Sequence, residues 1–216
     1  MDTIIDRYNK IKSLISKETQ DKKANIVAVS KTFKINHIKP LIDYGHLHYG
    51  ENKVQEAYEK WTDIKTQNNK ILLHMIGKLQ SNKAKKAIEL FNYIHSLDSE
   101  KLAKILNESE IKLKKKIKYF IQVNIGDEKQ KSGVDIKDVD DFYNFCLKET
   151  NLNIIGLMCI PPNDGNEDKY FDIINKKNQS LGLKDLSIGM SNDYLKAIKH
   201  NSTFIRVGTS IFGKRN

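Results

Sequence analysis

Short apolar runs alternate with helix-like stretches eight times along this chain, and that alternation constrains its fold most. The runs fall at 26–29, 47–49, 71–76, 93–96, 119–123, 154–160, 185–188 and 203–207. Between them, apolar residues recur at helical spacing over 35–44, 53–65, 81–90, 100–106, 139–148, 168–180 and 193–199. A lysine-rich turn is expected over 112–118. The first run, Ile26-Val27-Ala28-Val29, is continuous, as in a strand buried on both faces. Such alternation predicts an α/β fold with a parallel sheet. Eight units favour closure into a (β/α)8 TIM-type barrel over an open doubly wound sheet. Ile4, Ile5, Tyr8, Ile11, Leu14 and Ile15 predict one extra helix before the first strand. The 216 residues fall short of the usual length of about 250, so loops must be short and residues 1–216 form one domain.

Composition excludes several classes. No apolar run approaches the roughly 18 residues needed to cross a bilayer, so no membrane partner is expected. The opening segment Met1-Asp2-Thr3-Ile4-Ile5-Asp6-Arg7 has early acids and lacks the apolar stretch of a secretory signal. Cys146 and Cys159 make no close-spaced motif, which fits reduced thiols and a cytoplasmic protein. The net charge of +10 suggests nucleic acid, but all 37 basic residues except Arg7, Arg206 and Arg215 are lysines, spread along the chain. Base readout and phosphate forks favour arginine, so no nucleic-acid partner is expected.

In a barrel of this kind the chemistry sits at the C-terminal ends of the strands. Polar residues follow several of the apolar runs: Lys31, Gly50-Glu51-Asn52, Gly77-Lys78-Leu79-Gln80-Ser81-Asn82, Asn124, Gly189-Met190-Ser191-Asn192 and Gly208-Thr209-Ser210. A glycine followed by Ser or Thr at a helix start exposes backbone N–H groups to an anion. Loops after strands seven and eight commonly hold phosphate in this fold. Each loop alone reads equally as an N-cap or a turn, but two adjacent ones raise the phosphate reading. Arg206 shares a strand face with Phe204 and Gly208. A charge there needs a partner, either a carboxylate or a ligand near the phosphate. Lys31 is a surface lysine or, projecting into the barrel mouth, a desolvated amine of lowered pKa. A phosphate cradle, a nucleophilic lysine and an inward arginine together suggest pyridoxal phosphate on a Lys31 Schiff base.

The motifs Ala28-Val29-Ser30-Lys31-Thr32, Gly50-Glu51-Asn52-Lys53-Val54-Gln55-Glu56 and His74-Met75-Ile76-Gly77-Lys78-Leu79-Gln80-Ser81-Asn82-Lys83 carry a resemblance. So do Asn124-Ile125-Gly126-Asp127-Glu128 with Lys131-Ser132-Gly133, and Gly156-Leu157-Met158. Leu186-Ser187-Ile188-Gly189-Met190-Ser191 and Ile205-Arg206-Val207-Gly208-Thr209-Ser210-Ile211-Phe212-Gly213 complete the series. In order, and over nearly the whole chain, they resemble the pyridoxal-phosphate homeostasis protein family. The resemblance implies a barrel like the N-terminal domain of alanine racemase, with Lys31 bonded to pyridoxal 5′-phosphate. It implies that Ser191, Gly208 and Thr209 hold the phosphate, that Met190 lines the site and that Arg206 faces the pyridine nitrogen. Asn52 matches an asparagine near the ring, and His74 a histidine on strand three. The family often has glycine where this chain has Asn201, a residue that tolerates a left-handed turn. Lys78 is given no role.

Three functions compete: a cofactor-binding homeostasis protein, a pyridoxal-dependent amino-acid racemase, and a nucleic-acid binder. An arginine at the ring nitrogen keeps its own proton and weakens the ring as an electron sink. Racemases of this fold draw a second base from an added β domain, and this sequence stops soon after its eighth strand. The expectation is therefore binding without efficient catalysis, with racemase as the alternative and no catalytic or metal-binding residues assigned. Expected partners are the cofactor and pyridoxal-dependent apoenzymes, and the chain is expected to be a monomer.

Overall fold

The computed structural model describes residues 2–19, 24–126, 128 and 132–214. Asp127 and Lys131 of the motifs above, and Arg215, lie outside the described residues. Helix α1 (Ile4–Thr19) precedes an alternation of β1 (Asn25–Val29), α2 (Ile35–Asp43), β2 (His48–Glu51), α3 (Val54–Gln67), β3 (Leu72–Met75), α4 (Ala84–Leu90) and β4 (Tyr93–Leu97). The second half runs α5 (Glu100–Leu113), β5 (Lys118–Asn124), β6 (Val134–Asp135), α6 (Val139–Glu149), β7 (Asn153–Cys159), α7 (Glu167–Ser180), β8 (Asp185–Met190), α8 (Tyr194–Lys199), β9 (Phe204–Val207) and α9 (Thr209–Phe212).

The strands pair in parallel in the order β4-β3-β2-β1-β9-β8-β7-β5, and β4 pairs with β5. That last pairing closes the expected eight-stranded barrel. The two-residue β6 extends β5 beyond the barrel wall, with Val123 opposite Val134. It carries no apolar run, so periodicity does not reveal it.

Alternation along each strand sorts the core into two layers. Residues facing out, such as Tyr49, Leu73, Ile94 and Leu157, pack beneath the helices. Residues facing in, Val27, Tyr93, Phe120, Met158 and Phe204, fill the barrel. Helix α5 reaches Leu113 instead of stopping at 106. Ser99 caps its start, and buried Ser109 and Glu110 continue its inner face. Those polar residues hid the periodicity. Glu110 Oε1 accepts from Ile117 N at 2.8 Å and Tyr119 OH at 3.0 Å, tying the helix to β5. Asn201 takes φ +63°, the left-handed turn anticipated there. Among the described residues, no helix is long and apolar enough to cross a membrane, and no cluster of three or more His, Cys, Asp or Glu could hold a metal.

Candidate functional site

A cleft of about 500 Å3 opens at the C-terminal ends of the strands. Seven of the residues singled out from sequence line it: Lys31, Asn52, Met190, Ser191, Arg206, Gly208 and Thr209. They follow or close β1, β2, β8 and β9, so strand ends that neighbour one another in the barrel deliver them together.

Lys31 is half-buried, and both of its neighbours are anchored. Ser30 Oγ donates to Glu51 Oε1 at 2.7 Å, and Lys60 Nζ donates to Ser30 O at 2.9 Å. Thr32, at φ +69°, donates its N–H to Glu56 Oε1 at 2.6 Å. Lys60 joins these anchors, reaching Glu51 Oε1 and Glu56 Oε1 at 3.0 Å each. Trp61 Nε1 adds a 2.9 Å bond to Glu51. The lysine at the cleft thus sits on a backbone held on both sides by a buried ionic cluster. Asn52 is fixed differently: a Cβ on Gly77 would lie 2.4 Å from Asn52 O, so only glycine lets the two segments meet.

The loops after β8 and β9 touch directly. Gly208 N–H donates to Ser191 Oγ at 3.3 Å. Gly189 turns at φ +90°, with no room for a side chain against Ala197, and Asp193 Oδ1 accepts from Met190 N–H. Burial raises the Asp193 carboxyl, while the Met190 N–H and the Arg206 charge pull it down, leaving it above the ordinary value. Arg206 lies at the cleft floor and is 4% exposed. Its NH1 donates to Ser187 O and Ser187 Oγ at 2.7 Å each, and its NH2 to Cys159 O at 2.9 Å. The sequence left open whether a carboxylate or a ligand balances this charge. These three bonds all end on neutral oxygens, and Asp193 contributes at longer range. Burial lowers its pKa from an ordinary value far above neutrality, so the guanidinium stays charged.

His74 is the exception among the candidate residues. It does not line the cleft but lies in the barrel interior beneath it, 0% exposed and hydrogen-bonded to His48 and His95. It faced inward as strand alternation requires, but strand three delivers it below the mouth. Asn124 also stays out of the cleft and braces its own loop through Glu128. Sequence reasoning missed the Lys60, Glu56 and Trp61 anchors, and the rim residues Pro161, Pro162, Glu167, Asp193 and Lys196. The Pro161-Pro162 pair directly after the sixth apolar run was the available signal for the rim.

Comparison with known proteins gives four matches. The family described as "Alanine racemase, N-terminal domain" matches residues 1–216. A pyridoxal phosphate homeostasis protein of Pasteurella multocida is 36% identical over 201 residues, covering 88% of this chain and 86% of the relative. That of Haemophilus influenzae is 35% identical over 218 residues, covering 96% and 92%. PipY of Synechococcus elongatus, in a structure with pyridoxal phosphate bound, superposes with a TM-score of 0.87 at 32% identity, covering 98% of this chain and 100% of that one.

Proposed function

The chain belongs to the alanine racemase N-terminal domain family and, within it, to the pyridoxal phosphate homeostasis proteins, and on that footing we propose that it binds pyridoxal 5′-phosphate in the cleft. The observation that carries this reading is the convergence of Lys31, Arg206 and two touching Gly/Ser/Thr loops on one cleft. The residues fit the group. An arginine held by neutral oxygens leaves positive charge at the cleft floor for an electron-rich ring nitrogen. Ser191 and Thr209 offer hydroxyls beside Gly208, where the backbone passes close to Val29 and leaves little space for a side chain. Lys31 is the residue that would hold the aldehyde end of the group, through Nζ. Bound in this way, the cofactor supplies an electrophilic carbon and a conjugated ring. Asn52 and Met190 bound the site beside it.

We read the protein as a carrier of the cofactor, in the cytoplasm and as a monomer, handing it on to apoenzymes. Arg206 donates and does not release its proton, so the ring nitrogen stays unprotonated and a carbanion gains little from it. Thr209 and Lys196 at the rim are exposed, so water reaches the site. The two cysteines, both buried and neither in a disulfide, accord with a reducing compartment. The racemase reading predicts turnover of roughly 1–10³ s⁻¹; the carrier reading predicts α-proton exchange in deuterated water far slower than that. The deciding experiment adds the cofactor to the protein, reduces with borohydride and maps the modified peptide. A yellow complex that bleaches, with the adduct on Lys31, is expected; an adduct on Lys196 or Lys78 instead refutes the assignment.

A further inference from the structure

The barrel interior holds a hydrogen-bonded row that the cofactor reading does not use. Such interiors are usually filled by Val, Ile and Leu. Here His48, His74 and His95, on the successive strands β2, β3 and β4, stand side by side. His48 Nδ1 and His74 Nε2 are 2.9 Å apart, and His74 Nδ1 and His95 Nε2 are 2.9 Å apart. His95 Nδ1 meets Ser187 Oγ at 2.8 Å, and Ser187 Oγ accepts from Arg206 at 2.7 Å. Packing clamps the rings: His74 stacks on Tyr93 at 4.2 Å and His95 on Phe120 at 4.3 Å. The row runs from the open N-terminal end, where His48 borders a smaller cleft, to the floor of the site.

The direction of every bond follows from one end. The guanidinium of Arg206 can only donate. Ser187 is fully buried, so its hydroxyl proton needs an acceptor. Besides Arg206, its hydroxyl partner is His95 Nδ1, which must therefore accept. A neutral His95 then carries its proton on Nε2 and donates to His74 Nδ1. His74 in turn donates from Nε2 to His48 Nδ1. We propose that His48, His74 and His95 are positioning residues that act through Ser187 to orient Arg206, each locked as the neutral Nε2–H tautomer. Burial holds His74 and His95 well below the ordinary histidine pKa, aided by neighbouring histidines and, for His95, by Arg206. His48 is lowered by burial and by Lys118, the cation at its end of the row. Aligned donors of this kind polarise one another, so the row stiffens the arginine that faces the ring.

Imidazole ¹⁵N–¹H correlation spectra of the cofactor-free protein test the lock. All three histidines should show a protonated Nε2 and an unprotonated Nδ1 at neutral pH. An Nδ1–H tautomer or a doubly protonated ring on His95 or His74 overturns the proposal. Cofactor titration tests the positioning, and this arm rests on the binding reading above. His95→Leu removes the acceptor for Ser187 and should weaken binding about tenfold, the size of one buried hydrogen bond. His95→Asn places an oxygen near the old Nδ1 and should restore affinity to within about threefold. Equal affinity of His95→Leu and wild type, or no rescue by His95→Asn, overturns it. Should His95→Leu not fold, the wild-type tautomers decide. Should the wild type not take up the cofactor, the binding reading fails while the spectra still judge the row.

Discussion

Lys60→Met removes the ionic anchor behind Lys31 and gives the most direct test of how the site is held. Lys60 Nζ lies 2.9 Å from Ser30 O and 3.0 Å from both Glu51 Oε1 and Glu56 Oε1. Its side chain is 8% exposed and that of Glu51 0%, so solvent screens the pair little. Methionine preserves the apolar stem, so the substitution removes charge and hydrogen bonds with little loss of packing. Glu51 keeps the donors Ser30 Oγ and Trp61 Nε1 but loses its counter-ion. Removing one partner of a buried pair costs about 3–5 kcal/mol, and the two remaining donors hold this case near 3. A chain of 216 residues loses about 2–4 °C of Tm per kcal/mol, so Tm should fall by about 6–12 °C. Adding Glu51→Gln neutralises the stranded charge, and the double variant should regain at least about 1 kcal/mol. Urea unfolding of the wild type, the single and the double variant measures all three. A loss under about 1 kcal/mol for Lys60→Met, or a double variant no more stable than the single, would refute the reasoning.

Other consequences are equally accessible. Ser191→Ala and Thr209→Ala should each weaken cofactor binding by about 1.5–3 kcal/mol, the scale for hydrogen bonds to a charged group, and unchanged affinity of the double variant would place the phosphate elsewhere. Gly77→Ala puts a Cβ 2.4 Å from Asn52 O; overpacking of that kind costs about 1–3 kcal/mol, read by urea unfolding. Burial pushes His46 down to about 4 from 6.5, so its neutral form is the folded one and its contribution is complete above pH 6.5. That contribution is lost as pH falls from 6.5 toward 4, by about 3 kcal/mol, and His46→Asn should flatten the stability profile over this range.

The sequence made legible what depends on strand ends and obscured what depends on pairs of distant side chains. A barrel places the residues after each apolar run on one rim, so Lys31, Asn52, Ser191, Gly208 and Thr209 could be gathered from spacing and motif alone. Arg206 could be placed inward because Phe204, two residues earlier, is apolar and shares its face. His74 obeys the same alternation, yet its depth along the strand differs from that of Asn52 on the neighbouring β2. Register sets depth: His74 pairs with Gly50, two residues before Asn52. No single-strand pattern encodes register between strands, so the resemblance could name His74 as a histidine on strand three without giving its depth, one layer below the rim. The same limit hid the cluster behind Lys31. Lys60 and Glu56 sit on α3 among other charged residues and look like a solvated helix face. Only the packing of α3 against β2 turns them inward, toward Glu51. Charge that looks superficial in sequence is thus what fixes the backbone on either side of the proposed reactive lysine, and the buried histidine row does the corresponding work for the arginine across the cleft.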